Sequence, residues 1–457
     1  MVIELRISSI HLLKNQKYFS KSILFALTIL FYCNSCSSST NQTQTSKNIF
    51  VSSEGDDSNP GTIKKPWKTL DRVNRNSFNA GDTIFFSKNS NFSGVLVISD
   101  SGTNDRPIVL TSYGNGHAPR FNNPDINILN GNMIQIQGDY ITVDGLYFHN
   151  GVSVTKEDTI NARSIGAVYI TLGADHNIIK NCEMFDCPVG VQSYGQHNLI
   201  TNNYIHDCNR FLSEPSWGPV GIMVATSNHE ISYNRISNYT NSGGTYGADG
   251  GAIEIDNGDY HKENIYIHHN WSIGNQGFLE IIGWEDLSVI TENVRVSYNI
   301  SDDYQQFIFF WSGRNCLVEN NTVICTRPQN SRVRVVFSFF DKNNIIRNNI
   351  FVVSNNLQVF TGTNVYGAEL YDKQIYSNNL YWSSDETQSD PCGLPLGEGD
   401  IVGDPGFVDI DNLNFRLNTT SPAIDAGMDL GYKLDFDDNT VPTGSSPDIG
   451  AFEYNDD

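Results

Sequence analysis

An apolar residue followed three places later by asparagine recurs eight times between residues 178 and 378, and no other feature constrains the fold as tightly. The copies are Ile178-Asn181, Leu199-Asn202, Ile231-Asn234, Ile267-Asn270, Val296-Asn299, Leu317-Asn320, Ile345-Asn348 and Ile375-Asn378. Successive asparagines stand 21, 32, 36, 29, 21, 28 and 30 residues apart. A floor of 21 with variable excess is what a solenoid produces: each coil needs a fixed length, and the excess leaves as loops at particular corners. Asparagine suits a corner because it tolerates left-handed backbone, and stacked copies can join their amides along the axis.

Segments 251–256, 277–282 and 306–311 are short, rich in β-formers and alternate in places between apolar and polar residues. No stretch after residue 48 carries a helical stripe bounded by caps. The prediction is an all-β chain whose coils stack in register as parallel strands, in three sheets around a core of Ile, Val, Leu and Phe. A solenoid core grows in one dimension, so 457 residues are compatible with a single domain.

Lys14, Lys17 and Lys21 precede an apolar run from Ile23 to Cys33, too short to span a bilayer. Residues 1–36 therefore read as an export signal and 37–48 as a polar tether. Cys36, after a small residue and before the Ser/Thr/Gln tract, resembles the lipidated cysteine of a bacterial lipoprotein, although Cys33 stands where an aliphatic residue is usual. The expected location is the periplasm or outer membrane through a lipid anchor, with simple secretion as the alternative. Removing residues 1–36 takes four basic residues and one acidic one from totals of 29 and 51, leaving a net charge of −25. That excludes nucleic acid as a partner and means that an acidic ligand needs local cations or a metal. Cys187 and Cys208 each lie six places after a recurring asparagine, on neighbouring coils. Strands ~4.8 Å apart bring them within range of a disulfide, with stacked thiols as the alternative.

The opening 49–62, with Lys65-Pro66-Trp67-Lys68-Thr69-Leu70, Ala80-Gly81-Asp82-Thr83-Ile84 and Ser101-Gly102-Thr103-Asn104-Asp105-Arg106-Pro107, resembles the right-handed parallel β-helix proteins of the pectate-lyase-like superfamily. So does the ending, Ser421-Pro422-Ala423-Ile424-Asp425-Ala426-Gly427 and Pro447-Asp448-Ile449-Gly450-Ala451-Phe452-Glu453-Tyr454. The resemblance implies a cap and first coils over 49–130, central coils over 131–382, and final coils and cap over 383–457. It specifies the fold and leaves the reaction open, since the superfamily holds lyases, hydrolases, epimerases and adhesins.

Insertions between coils mark the working face, and they cluster at 209–219, 239–250, 257–264 and 284–293. Aligning glycines and apolar residues sets Glu254 in register with Glu280, both pointing outward with Asp256. Counting six back from Asn320 and Asn348 gives Arg314 and Lys342, a column of cations on the next two coils alongside Trp311.

The leading expectation is β-elimination on a uronate in an acidic polysaccharide or oligosaccharide, by a polysaccharide lyase or a terminal-uronate dehydratase. Arg314 and Lys342, or Ca²⁺ on Glu254, Asp256 and Glu280, would neutralise the C6 carboxylate. His261 is the candidate base, and Tyr260 or Tyr304 the candidate acid. A second reading makes Glu254 and Glu280 the acid and nucleophile of a retaining glycosidase. A third makes the chain a non-catalytic glycan binder, with Trp217, Trp284 and Trp311 as stacking platforms. The blander alternative is that His261 is a surface histidine, His268 and His269 pack a turn, and the charged columns are solvated faces.

Overall fold

The computed structural model describes residues 45–123, 131–149, 166–208, 218–240, 250–256, 260–283, 288–327, 335–338, 342–360 and 375–455. They belong to one compact unit, Thr45–Asp457, and build a right-handed parallel β-helix. One coil shows the plan: strand Gly251–Ile255 lies in a first sheet, Lys262–His268 in a second, Trp271–Ile273 in a third, and Leu279–Ile281 returns to the first. Among the described residues these sheets hold nine, thirteen and twelve strands, and every strand pair within them is parallel. Alternation sets the faces. Ile222, Ile253, Leu279 and Ile308 form an inward column with at most 1% exposure, while the residues that follow each of them point out.

Each corner needs a residue with left-handed backbone, and polar side chains line up there. Between the second and third sheets the left-handed positions are Asn181, Asn202, Tyr233, His269, Tyr298, Asn320, Asn348 and Asn378. The next residue turns inward. Asn203, Asn234, Asn270, Asn299, Asn321, Asn349 and Asn379 form an unbroken buried ladder, each amide nitrogen 2.9 or 3.0 Å from the next amide oxygen. Each amide also serves backbone groups of adjoining coils, so the polar ladder is satisfied inside an apolar core.

This corrects the register expected from the recurring motif. Five of its asparagines are left-handed corner residues, whereas Asn234, Asn270 and Asn299 belong to the inner ladder one residue on. The cause is that Leu199 and Ile200 are both apolar. Ile231 pairs with Ile200 rather than Leu199, so the motif fits two phases.

A short helix adds to the expected all-β plan, and of the two alternatives for Cys187 and Cys208 the thiols are found. A helix does form, Leu70–Asn74, capped by the Thr69 side chain and burying Leu70 and Val73; five residues are too few to show a stripe. Cys187 and Cys208 do stack on neighbouring coils, buried in the core, but they are thiols rather than a disulfide. The Cys187 Sγ donates instead toward the Phe185 and Phe148 carbonyls, at 3.5 and 3.8 Å. Cys36 lies outside the described residues. Among those described, no helix is long and apolar enough to cross a membrane.

The closing segment lies against the outer face of the third sheet. Ile300, Ile324, Ile350, Val352 and Leu380 point out from the coils and are covered by Phe415, Leu417, Ala423, Ile449, Ala451 and Phe452. Asn348 clasps Met428 through two 2.9 Å bonds, and the Ala451 amide donates to Thr322 Oγ1 at 3.0 Å.

Candidate active site

The outer face of the nine-stranded sheet carries one register column: Gln135, Tyr169, Gln192, Met223, Glu254, Glu280, Phe309 and Phe337. Glu254 and Glu280 are direct partners on successive coils, as alternation requires, and Asp256 follows two residues after Glu254. Glu254 and Asp256 sit deeper than a cleft floor implies, only 6% and 5% exposed, while Glu280 is partly exposed. On the N-terminal side the face is apolar, with Val189, Val220, Met223 and Ala225 packed beside Tyr194. On the C-terminal side it is aromatic: Phe309 stacks on Phe337 at 5.0 Å and meets Trp311 edge-on at 5.7 Å.

Arg314 and Lys342 are partners on successive coils, but their column is a different one from that expected. It runs Glu263, Glu292, Arg314, Lys342 at the start of the second sheet, around the corner from Glu254 and Glu280. Earlier in the same column short side chains cap the next coil: the Asp175 amide donates to Asp139, the Gln196 amide to Asp175 and the Glu263 amide to Ser227, at 2.7 to 3.0 Å. From Glu263 onward the positions carry long charged side chains instead. His261 stands beside them, its Nε2 3.7 Å from Glu292 Oε2. The donor atoms of His261, Glu263 and Glu292 lie within 4.8 Å of one another. The Arg314 Nε is buried with no hydrogen-bond partner among the described residues.

Tyr260 reaches back toward the first sheet. Burial raises the Tyr169 phenol, and neighbouring Tyr194 and Tyr260 add to the shift, so three phenols share that flank. Tyr304 does not join the group. It sits at the opposite end of the strand, before Ile308–Phe310, with the Arg327 guanidinium 5.2 Å from its ring. Trp217 and Trp284 lie outside the described residues. Sequence reading missed Glu263 and Glu292, because counting six back from Asn270 and Asn299, which lie one residue past the corner, lands on Asn264 and Asn293 instead. It also missed Lys262, fully buried with Nζ 2.9 Å from the Tyr260 carbonyl; the signal was a lysine heading a buried strand.

Among the described residues one set of donor atoms converges closely enough for a metal, His261, Glu263 and Glu292, whereas Glu254, Asp256 and Glu280, expected to hold Ca²⁺, do not form such a set.

A parallel β-helix with a charged, aromatic-flanked outer face defines the class as carbohydrate-active β-helix proteins. Residues 67–368 match the family model for chondroitinase B, and the chain belongs to that family of parallel β-helix lyases. The match spans every residue of the column from Glu263 to Lys342. No curated protein sequence is significantly similar to the chain. Among solved structures, a rhamnogalacturonan lyase is similar over 80% of this chain and 91% of its own, at 16% identity and a TM-score of 0.56. Pectate lyase Pel9A is similar over 90% and 97%, at 17% identity and 0.52. XylC in complex with xylose is similar over 88% and 98%, at 12% identity and 0.50. At these identities the likeness is one of fold.

Proposed function

We propose that the chain is a carbon–oxygen lyase that cleaves a uronate-containing polysaccharide or oligosaccharide by β-elimination. The observation that carries this reading is the convergence of Arg314 and Lys342, partners on neighbouring coils, with the His261–Glu292 pair at one corner. Elimination needs a cation to neutralise the C6 carboxylate and a base to take the C5 proton; hydrolysis has no use for the first. Arg314 and Lys342 hold the substrate carboxylate, His261 takes the proton with Glu292 orienting the imidazole, and Tyr260 returns a proton to the C4 oxygen. Trp311 and Phe309 form the sugar platform. Glu254 and Glu280, partners on successive coils, and Asp256 make this face acidic, and a Ca²⁺ bound together with the substrate would supply positive charge to it. Export with lipid on Cys36 completes the reading, supported by the apolar run before it and the polar tract after it.

The test is a panel of uronate polymers and oligomers, with and without chelator, followed at about 235 nm, where an unsaturated uronate absorbs. Growth of absorbance supports elimination. New reducing ends without absorbance would replace it with hydrolysis by Glu254 and Glu280, and binding with neither product would leave a glycan-binding protein.

A further inference from the structure

The imidazoles of His268 and His269 stand in a row between the coils and the closing segment. His268 Nε2 is 3.4 Å from Glu230 Oε1, His268 Nδ1 is 2.8 Å from His269 Nδ1, and His269 Nε2 is 2.8 Å from the Asp435 carbonyl oxygen. Both histidines are buried. Tyr266 stacks on His268 at 4.0 Å, and Tyr233 on His269 at 4.8 Å, so neither ring is at liberty to turn.

Counting hydrogens fixes the protonation state. Carboxylate and carbonyl oxygens only accept, so the two outer contacts each need an imidazole N–H. The contact between the two Nδ1 atoms needs a third. Two neutral imidazoles hold two ring hydrogens, so a row with all three contacts carries one extra proton and a single positive charge. We propose that His268 and His269 form a proton-dependent latch, which in its monocationic form ties Glu230 on the coils to the closing segment at Asp435.

The surroundings support one shared proton. Burial and the neighbouring His268 lower the His269 pKa to about 4, which opposes a second positive charge on the row. The bond to His268 in turn lowers the Glu230 carboxyl. The closing segment presents Asp435 and Asp438, and the second sheet presents Arg295 over the Tyr266 ring. Glu319, one coil further, is taken up by Arg347 and Tyr432. The phenols of Tyr233, Tyr266, Tyr298 and Tyr432 are all raised by burial and stay neutral wherever imidazole titrates. When the proton leaves, only two contacts can be kept. A lone pair then faces the Glu230 carboxylate or the Asp435 carbonyl, or the two Nδ1 lone pairs face each other, and in each case the tie weakens.

The experiment is hydrogen exchange of the amides at 433–439, corrected for intrinsic rate, from about pH 5.5 to about pH 8.5. Protection in the unaltered protein should fall roughly three- to tenfold across that range, the worth of one hydrogen bond. Glu230→Gln should keep the segment docked and flatten the profile, because its amide can donate to the neutral His268 Nε2. Glu453→Gln, which removes a second titrating group of the closing segment, should retain the fall. A flat profile in the unaltered protein, or the same fall in Glu230→Gln, overturns the latch. Histidine-selective ¹⁵N spectra of the unaltered protein give an independent reading. Three protonated ring nitrogens across the pair on the acid side support it, and two overturn it.

Discussion

Among the described residues Arg314 Nε is buried without a hydrogen-bond partner, a cost that a carboxylate bound in the plane of the guanidinium would offset. Arg314→Ala should therefore lower kcat/KM on a uronate substrate by roughly 10²- to 10³-fold. Arg314→Lys should recover only part, because an ammonium restores charge without the planar fork. Initial rates near 235 nm on both variants check this, and an unchanged rate in Arg314→Ala would remove the residue from the site. Which residues share a face was legible in the sequence wherever strands alternate, and Glu254 was placed opposite Glu280 for that reason. Which face Arg314 belongs to was not legible. The connection from the first sheet to the second has no fixed length, running from Asp256 to His261 in one coil and from Ile282 to Ile290 in the next. Counting back from the asparagines stays within the second sheet and stops short of that corner, so a cation one sheet away looked like a neighbour of Glu280.

At the scale of the coil, two adjacent asparagines separate the two roles that the motif blurred. Asn321 lies in the inner ladder, donating to the Val296 and Glu319 carbonyls and to Asn349 Oδ1, and accepting from the backbone and side-chain amides of Asn299. Asn321→Ala leaves several of these groups buried and unpaired and should cost roughly 3 kcal/mol or more. Asn320 holds the left-handed corner, which glycine adopts freely, and its amide makes only two side-chain bonds, to Tyr298 Oη and from Asn348 Nδ2, so Asn320→Gly should cost less, roughly 1 to 2 kcal/mol. Denaturant midpoints of the two variants check the contrast, and equal costs would contradict the one-residue shift. The corner between the first and second sheets has a partial ladder of its own, Asn177 and Asn198, which His229 continues. Burial lowers the His229 pKa to about 4, below the 6.5 of an unfolded chain. The folded state then binds fewer protons than the unfolded one between those values, so stability present above pH ~6.5 is lost as pH falls, at up to about 1.4 kcal/mol per unit. His269 adds a loss of the same sign. His229→Asn should flatten part of the acid limb while fitting the ladder, as thermal unfolding at about pH 7 and about pH 4.5 would show.

For the whole molecule, a solenoid's coils contact only their neighbours, and the closing segment breaks that rule by running along the side of several. It touches Asn348 and Thr322 in the coils, and through Asp435 and Asp438 it reaches His269 and Tyr233. Its motifs were readable as an ending. Its course along the flank was not, because it carries no periodicity and its contacts bridge up to 205 residues. The coils complete their backbone ladders without it, whereas it depends on side chains laid on their aliphatic face. Phe452 is central to that contact, buried among Ile449, Phe415 and Leu417, edge-on to Phe436 at 5.4 Å and with the Arg416 guanidinium 5.2 Å from its ring. Phe452→Ala should remove roughly 3 to 5 kcal/mol from the segment's docking. Because the coils are independently laddered, calorimetry should then resolve a new low-temperature transition and leave the main one in place. An apolar dye should bind at the first step, as Ile300, Ile324 and Ile350 become exposed. A single transition shifted as a whole would mean that segment and coils fold as one cooperative unit, and that the flank contact is part of what holds the spiral together.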